Sequence, residues 1–261
     1  MTSEAGLQHL TLRQQLLLDG LRVAGFQTVS DLSSQLGVSD MTVRRDLRKL
    51  DESGLVRIFH GGASLSTTSI PQGDYQTRAV EHAAAKRAIA RAAVGMVLPD
   101  DTIGVDGGTT AFGVAELLPP AFAGSVVTAS APVIHHLSHM EHARVVGVGG
   151  DLYRPSQTFV GPAAVSAIEG LRMRILFLGV GAADERGLYV AADVERPTKL
   201  ALMAAADRVV VLADATKFTS FAPIRLCSWS DIDAIVCDAA PPAVVAAAAN
   251  EAGVSLTVAA Q

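Results

Sequence analysis

The chain has 261 residues, of which 49% are apolar and 18% charged, and its formal net charge is −5. So much apolar residue and so little net charge exclude a disordered chain and favour a buried core. No apolar run approaches the roughly 18 residues that span a bilayer, and residues 1–8 lack a basic stretch followed by an apolar one. We therefore expect no membrane segment, no signal peptide and a cytoplasmic location. The two cysteines show no metal-ligand spacing.

The negative charge is distributed unevenly. Residues 1–63 contain seven basic and seven acidic residues, so the whole negative balance lies in the remaining 198 residues. Four of the seven basic residues fall between Arg44 and Lys49. An acidic total therefore conceals a local basic cluster, and nucleic acid stays a candidate partner.

The N-terminal pattern predicts three short helices and a strand. Leucines recur at helical spacing from residue 12 to 24, and Gly25 is expected to end that helix. Ser30 is expected to cap a second helix over residues 31–36, and Ser39 a third that runs to about residue 53, where Gly54 ends it. A β-prone run over residues 55–59 follows, and a turn begins at His60.

The third helix has a buried stripe and an exposed basic face. Val43, Leu47 and Leu50 form the stripe, which leaves the neighbouring arginines facing solvent. Two short helices joined by a tight turn, the second with arginines near its start, are typical of a helix-turn-helix that reads the major groove. An ordinary three-helix module with a solvated basic face fits the periodicity equally well.

The residues themselves favour DNA binding. The motif is Val38-Ser39-x-x-Thr42-Val43-Arg44-Arg45-Asp46-Leu47, followed by Leu50, Gly54, Leu55, Arg57 and His60-Gly61-Gly62-Ala63. This stretch resembles the DNA-binding half of the DeoR family of bacterial transcription regulators. The resemblance implies a winged helix-turn-helix with its core at residues 28–47 and a double-stranded DNA operator as partner. The residues expected to bind DNA are Ser39, Met41, Thr42, Arg44, Arg45, Arg48, Arg57 and His60.

The rest of the chain predicts a second domain. Residues 1–63 form the DNA-binding domain, the Ser- and Thr-rich residues 64–74 a linker, and residues 75–261 the second domain. One helix is expected over residues 75–97. From residue 102 onward apolar strands alternate with helices, which is typical of a parallel sheet covered on both faces. Ligands of such sheets bind at the carboxyl ends of the strands.

Four polar loops follow predicted strands. In residues 106–110 two glycines and two threonines precede a helix, which suits a phosphate, although Thr110 acting only as a helix cap would explain the same pattern. Residues 128–130 alone suggest another cap, and residues 149–151 a turn. In residues 214–218, Lys217 is either a phosphate ligand or a solvated lysine.

The order of these segments carries a second resemblance. The pieces are Lys86 with Ile89-Ala90, Asp106-x-Gly108-Thr109-Thr110, Val127-Thr128-x-Ser130, Gly149-Gly150, Gly179-x-Gly181, Lys199 and Asp214-x-x-Lys217-Phe218. Together they resemble the effector-binding half of the DeoR family. This implies a larger, mostly parallel α/β sensor domain, related to sugar-phosphate isomerases, that binds a phosphorylated sugar. The family commonly has Asn where this chain has Ala129, so an amide that can bond a sugar hydroxyl is missing. The expected effector-binding residues are Lys86, Asp106, Gly108, Thr109, Thr110, Thr128, Ser130, Gly150, Asp151, Lys199, Asp214 and Lys217.

Three functions remain in competition. The first is a transcription regulator, by resemblance a repressor of carbohydrate metabolism, that acts as a homodimer or tetramer. The second is an isomerase-type enzyme with Asp106, Asp151, Asp184 or Glu195 as general base beside Lys217. The third is a DNA-binding module whose sensor binds nothing. We expect no cofactor and no metal site, since the histidines of residues 135–142 lack a completing ligand set and neither Gly-x-Gly segment extends to a dinucleotide motif.

Overall fold

The computed structural model describes residues 11–24, 26–53, 55–59, 62–65 and 75–260. The chain divides into two compact units between residues 70 and 71. Each unit has its own apolar core. None of the helices in the described ranges is both long and apolar enough to cross a membrane.

The N-terminal unit is a winged helix-turn-helix. Its elements are α1 (Leu12–Ala24), β1 (Phe26–Thr28), α2 (Val29–Leu36), α3 (Asp40–Glu52), β2 (Val56–Phe59) and β3 (Gly62–Leu65). The strands form an antiparallel sheet in the order β1-β3-β2. The predicted stripe of α3, Val43, Leu47 and Leu50, is fully buried against leucines of α1 and α2. Burial of this stripe fixes which face of α3 remains outside.

Two local predictions for this unit were wrong. Thr28, not Ser30, caps α2: its hydroxyl accepts a hydrogen bond from the Asp31 amide, and the Asp31 carboxylate accepts from the Thr28 amide. This reciprocal capping box satisfies two amides, whereas a serine cap alone satisfies one. Residues 64 and 65, assigned to the linker, lie in β3, where backbone pairing to β1 and β2 holds them. Gly25, Gly54, the turn at His60 and linker residues 66–74 lie outside the described residues.

The second unit is built on a parallel sheet of seven strands. In chain order these are β4 (Thr102–Val105), β5 (Ser125–Thr128), β6 (Arg144–Gly147), β9 (Ile175–Gly179), β12 (Val209–Ala213), β14 (Ala234–Cys237) and β15 (Ser255–Val258). Their order in space is β15-β14-β12-β9-β4-β5-β6, with every pairing parallel. From β4 the chain runs outward through β5 and β6, then returns to the other side of β4 at β9. The junction of β4 and β9 is therefore the topological switch point, where α/β sheets bind ligands.

Helices cover both faces of this sheet. One face packs α5 (Ala83–Val94), α6 (Thr109–Glu116) and α7 (Ala131–Leu137), and the other packs α8 (Pro162–Ile168), α9 (Arg196–Ala204) and α10 (Ala243–Glu251). Both cysteines are buried, and burial raises the pKa of each thiol to about 12, so neither is reactive. A neutral N-terminal winged helix-turn-helix plus a larger parallel α/β domain confirms the predicted fold class.

The second unit differs from expectation in three places. The helix predicted over residues 75–97 is two helices, α4 (Tyr75–Val80) and α5, because His82 between them takes a left-handed conformation with φ of 52°. A hairpin of β7 (Asp151–Tyr153) and β8 (Thr158–Val160) follows β6. A small antiparallel sheet joins β10 (Ala182–Asp184), β11 (Gly187–Val190) and β13 (Ile224–Cys227). Polar residues or glycine interrupt these short strands, so they lack the continuous apolar runs that predicted the strands of the parallel sheet.

Candidate DNA interface and effector site

The outer face of α3 presents the predicted DNA-binding side chains. Ser39 caps the helix, since its hydroxyl accepts a hydrogen bond from the Thr42 amide at 3.4 Å and lies 3.0 Å from the Thr42 hydroxyl. Met41 is 75% exposed, an unusual position for a large apolar side chain. Arg44, Arg45 and Arg48 are also exposed. One helix face near the N-terminus thus offers apolar, hydroxyl and guanidinium groups, the set that reads base edges in the major groove.

Asp46, unlike the arginines beside it, forms a contact within the N-terminal unit. It is buried, and its Oδ2 accepts a hydrogen bond from Arg13 Nε of α1 at 2.5 Å. This ion pair ties the recognition helix to α1 and so sets the angle at which its outer face is presented. Sequence reasoning did not assign Asp46 a role, although its place in the Arg-Arg-Asp motif was the available signal. Arg57 lies in β2, where only its backbone is described, and His60 lies outside the described residues.

The N-terminus of α6 has no side-chain cap, and we refer to it below as the anion cradle. Gly108 is its N-cap residue, so no side chain caps the first-turn amides of Thr109, Thr110 and Ala111, which have no intrahelical acceptor. The alternative in which Thr110 caps this helix is therefore wrong. A Cβ built on Gly108 would meet no heavy atom of the described residues within 4 Å. The space beside Gly108 is thus open as far as the described residues go, and helix N-termini favour negative charge.

The neighbouring Gly107 is a glycine for a different reason. A Cβ there would lie 1.8 Å from Thr158 Oγ1 on β8. Gly107 thus permits close packing of the hairpin, whereas no atom of the described residues fills the space beside Gly108.

Asp106 and Lys199 meet at the switch point. They form a buried ion pair, with 1% and 8% of their side chains exposed. Asp106 Oδ2 also accepts a hydrogen bond from the Gly179 amide at 3.0 Å, and Lys199 Nζ donates one to the Gly179 carbonyl at 3.0 Å. The pair ties α9 to the ends of β4 and β9, so much of its hydrogen-bonding capacity is used inside the protein.

Thr128 and Ser130 are likewise engaged internally. The Thr128 hydroxyl donates to the Val105 carbonyl at 2.6 Å and accepts from the Ser130 amide at 3.0 Å. The Ser130 hydroxyl caps α7 by accepting a hydrogen bond from the Val133 amide at 3.4 Å. Both residues are fully buried. They brace the loop beside the cradle, as the cap interpretation of this segment expected.

A basic cluster lies beyond β12. Lys217 Nζ is 4.0 Å from Asp214 Oδ2, a buried oxygen with no hydrogen-bond partner in the described part of the chain. Burial lowers the pKa of Lys217. Burial also lowers the pKa of Lys86 to about 8, with attraction by Asp214 opposing this and repulsion by Lys217 adding to it. Lys86 is buried and Lys217 is partly exposed, and two ammonium groups with one carboxylate leave an excess of positive charge in this part of the domain.

Lys86 connects this cluster to the cradle. Lys86 and Thr109 both line a cavity of about 880 Å³ that continues along the outer face of α6 past Phe112 and Glu116 to His136 on α7. Its size and mostly apolar walls with a few polar groups are those of a small-molecule site. Of the twelve predicted effector residues, only Lys86 and Thr109 line this cavity, and Gly150 and Asp151 are exposed at the start of the hairpin.

Several residues of the rival hypotheses make contacts within the protein. Among the described residues, no three His, Cys, Asp or Glu side chains are placed to hold a metal ion. His135 and His139 contact each other edge to face, with ring centroids 5.7 Å apart. Of the carboxylates considered as a general base, Asp106 is paired with Lys199, and Asp184 accepts hydrogen bonds from the Tyr189 hydroxyl and the Arg186 backbone amide.

Sequence reasoning also missed Arg78, which lies on α4 and not at the end of a strand. Its Nη2 donates a hydrogen bond to the Pro155 carbonyl at 2.7 Å, and its own carbonyl accepts one from Lys86 Nζ. No pattern in the sequence marks this position, because the contact depends on the hairpin folding back over the sheet.

Comparison with known proteins agrees with both halves of this architecture. Residues 13–69 match the DeoR-like helix-turn-helix domain, and residues 81–239 match the DeoR C terminal sensor domain. The chain is 31% identical to a putative aga operon transcriptional repressor of Escherichia coli O157:H7, over 94% of this chain and 92% of that protein. It is 30% identical to the glycerol-3-phosphate regulon repressor of Escherichia coli K12, over 90% of this chain and 93% of that protein.

A more distant likeness extends to ribose 5 phosphate isomerase A from Neisseria gonorrhoeae, with 18% identity and a TM-score of 0.39 over 52% of this chain and 53% of that chain. At this distance the likeness says nothing about chemistry. Both relatives above are named as repressors, not as enzymes. The two domain matches and near full-length relatives place this chain in the DeoR family of transcription regulators.

Proposed function

We propose that this protein represses a carbohydrate-metabolism operon and that a phosphorylated sugar, bound in the second domain, controls its hold on the operator. The observation that carries the proposal is the uncapped N-terminus of α6, whose first residue, Thr109, lines a cavity together with Lys86. Unsatisfied amides and a buried ammonium group suit a phosphate. The name of the glycerol-3-phosphate regulon repressor supports a phosphorylated effector.

The DNA-reading half of the proposal is supported by the exposed face of α3. The three arginines and Thr42 are available for phosphates and base edges, and Met41 for a thymine methyl group. Because the chain has a net charge of −5, we expect it to bind random DNA weakly, so that its affinity for the operator depends on how well α3 fits the major groove.

Regulation requires two states of a homodimer or tetramer. Two recognition helices reach successive major grooves only when they are about 34–36 Å apart. An effector releases DNA if it binds the state with the wrong spacing more tightly, since equal affinity for both states shifts nothing.

Operator binding by the full chain, measured by fluorescence anisotropy at fixed salt, tests this proposal. The titration is repeated with glycerol 3-phosphate, a panel of hexose phosphates and the matching unphosphorylated sugars. We expect one phosphorylated compound to weaken operator binding while its unphosphorylated partner does nothing. A protein that binds its operator and ignores the whole panel would favour a sensor without a ligand. Interconversion of the sugar phosphates by the purified protein would overturn the regulator-only assignment.

A further inference from the structure

The strand β15 forms one edge of the seven-stranded sheet, and within the described ranges it pairs with β14 alone. The amides of Ser255 and Ala259 donate hydrogen bonds, at 3.0 and 2.7 Å, to carbonyls on the β14 side. Along a parallel pair, successive residues direct their backbone groups toward the neighbouring strand and away from it in turn. The N–H and C=O groups of Leu256 and Val258 therefore point outward, where they are available to a further strand.

The side chains of these two residues belong to an apolar surface on one face of the sheet. Leu256 and Val258 lie in register with Ile235 and Cys237 of β14, which pack in the core beneath α10. They project to that same face, yet 37% and 49% of their surface is exposed. Val244 on α10 is 63% exposed. A strand added to this edge would thus cover apolar side chains as well as backbone groups.

This edge of the sheet is almost without charge. Residues 239–260 include a single charged residue, Glu251, whereas the opposite edge strand, β6, begins with the exposed Arg144. Free edges are commonly protected by charged side chains, prolines or bulges, and β15, with the sequence Ser-Leu-Thr-Val in regular register, has none of these. A partner recognised by its charge would find little to bind here. An identical uncharged edge, in contrast, meets this one without like-charge repulsion.

We propose that β15 pairs with β15 of a second copy of this chain, antiparallel across a twofold axis at Thr257. About this axis Leu256 lies opposite Val258 of the partner subunit, so the outward backbone groups of each copy find acceptors and donors in the other. The axis is perpendicular to the sheet, so both α10 helices and their exposed apolar side chains lie on one side of the joined sheet. Such a pairing uses the same surface on both copies and closes at two. It supplies the second copy that the proposed function requires, and it rests on that function only in this respect.

Sedimentation velocity of the full chain over a range of concentrations, without DNA or sugar phosphate, tests the pairing. Val258→Lys places an ammonium group of each copy in the seam, where it loses water without gaining a partner. We expect wild-type protein to sediment as a dimer or tetramer, and Val258→Lys as the assembly of half that size. Leu98→Lys is the matched control, since Leu98 is 59% exposed in the turn before β4, and it should assemble as the wild type does.

Disulfide trapping tests the register and does not depend on the lysine variant. In the proposed pairing the two copies of residue 257 face each other with Cβ atoms about 4.5–5.5 Å apart, so Thr257→Cys should form a covalent dimer under mild oxidation. The native cysteines are buried and do not compete. Ser255→Cys, exposed two residues earlier, is the control, because its two copies would lie roughly 14 Å apart and should not cross-link.

The outcomes separate the pairing from the function proposed above. If wild-type protein is an oligomer, Val258→Lys assembles equally well and Thr257→Cys does not cross-link, the pairing of β15 is refuted and repression by another interface survives. A cross-link through Ser255→Cys but not through Thr257→Cys would refute the twofold axis at Thr257. If wild-type protein is a monomer at every concentration, the pairing falls together with regulation through two copies, whereas operator and effector binding are still decided by anisotropy.

Discussion

Replacing Gly108 with alanine separates ligand binding from folding at the anion cradle. Gly108 has φ of 173°, an extended conformation open to any residue, and an added Cβ meets no described atom within 4 Å. We therefore expect a change in unfolding free energy below about 1 kcal/mol, since a lost N-cap preference and a reduced unfolded-state entropy oppose each other. The added methyl group enters the space beside the amides of Thr109, Thr110 and Ala111, where the phosphate is proposed to sit.

The expected loss of affinity follows from those amides. A hydrogen bond to a charged group contributes about 1.5–3 kcal/mol, so displacement from even one amide weakens phosphate binding by roughly 10-fold to 100-fold. Calorimetric titration with phosphate measures this loss, and operator anisotropy should show a repressor that no longer responds to its effector.

Two glycines of the same domain provide matched controls. Gly149, two residues beyond β6, has equally open space in the described structure, so Gly149→Ala should change neither stability nor phosphate affinity. Gly107→Ala forces a Cβ to within 1.8 Å of Thr158 Oγ1 and should destabilise the domain. Phosphate binding by Gly108→Ala at the wild-type affinity would show that the cradle is not the anion site.

Three further predictions follow from other contacts. Arg45→Ala should weaken operator binding, measured by anisotropy, by about 1–3 kcal/mol, and the melting temperature should not change because Arg45 is exposed. Unchanged operator affinity with a lowered melting temperature would show that Arg45 does not lie on the face that binds DNA. Asp106→Asn leaves buried Lys199 unpaired, so the free energy of unfolding in urea should fall by about 3–5 kcal/mol. Adding Lys199→Met should restore part of this stability, and if it restored none, the two side chains would not be coupled. Burial lowers the pKa of Lys86 to about 8, below its unfolded value, so protonation of Lys86 opposes folding. The free energy of unfolding should therefore rise from about pH 8 upward, while phosphate affinity falls. Lys86→Met, measured at about pH 7 and about pH 9, should show neither trend.

The sequence was informative where function depends on a local pattern. Hydrophobic periodicity identified α3 and its buried stripe, and it left the arginines outside, as the structure has them. Apolar strands followed by glycine and hydroxyl residues identified the loops at the carboxyl edge of the parallel sheet. Both patterns are encoded within about ten residues, which is the range over which periodicity and capping act.

The sequence could not say how the candidate effector residues divide among roles. Thr128 and Ser130 share the hydroxyl chemistry of Thr109, yet they brace loops while Thr109 lines a cavity. Asp106 and Lys199, 93 residues apart, pair because β4 and β9 are neighbours only after the chain reverses direction across the sheet. The difference lies in which hydrogen-bonding groups find partners within the protein.

Sequence alone thus determined the family resemblance, the two-part architecture and the exposed basic face of α3, because each depends on contiguous residues. Only the tertiary structure decided which groups remain available to a ligand and which are already satisfied. It also revealed Asp46 and Arg78, whose partners, Arg13 and Pro155, lie 33 and 77 residues away. Such contacts depend on long-range packing, which brings together side chains that no local pattern relates.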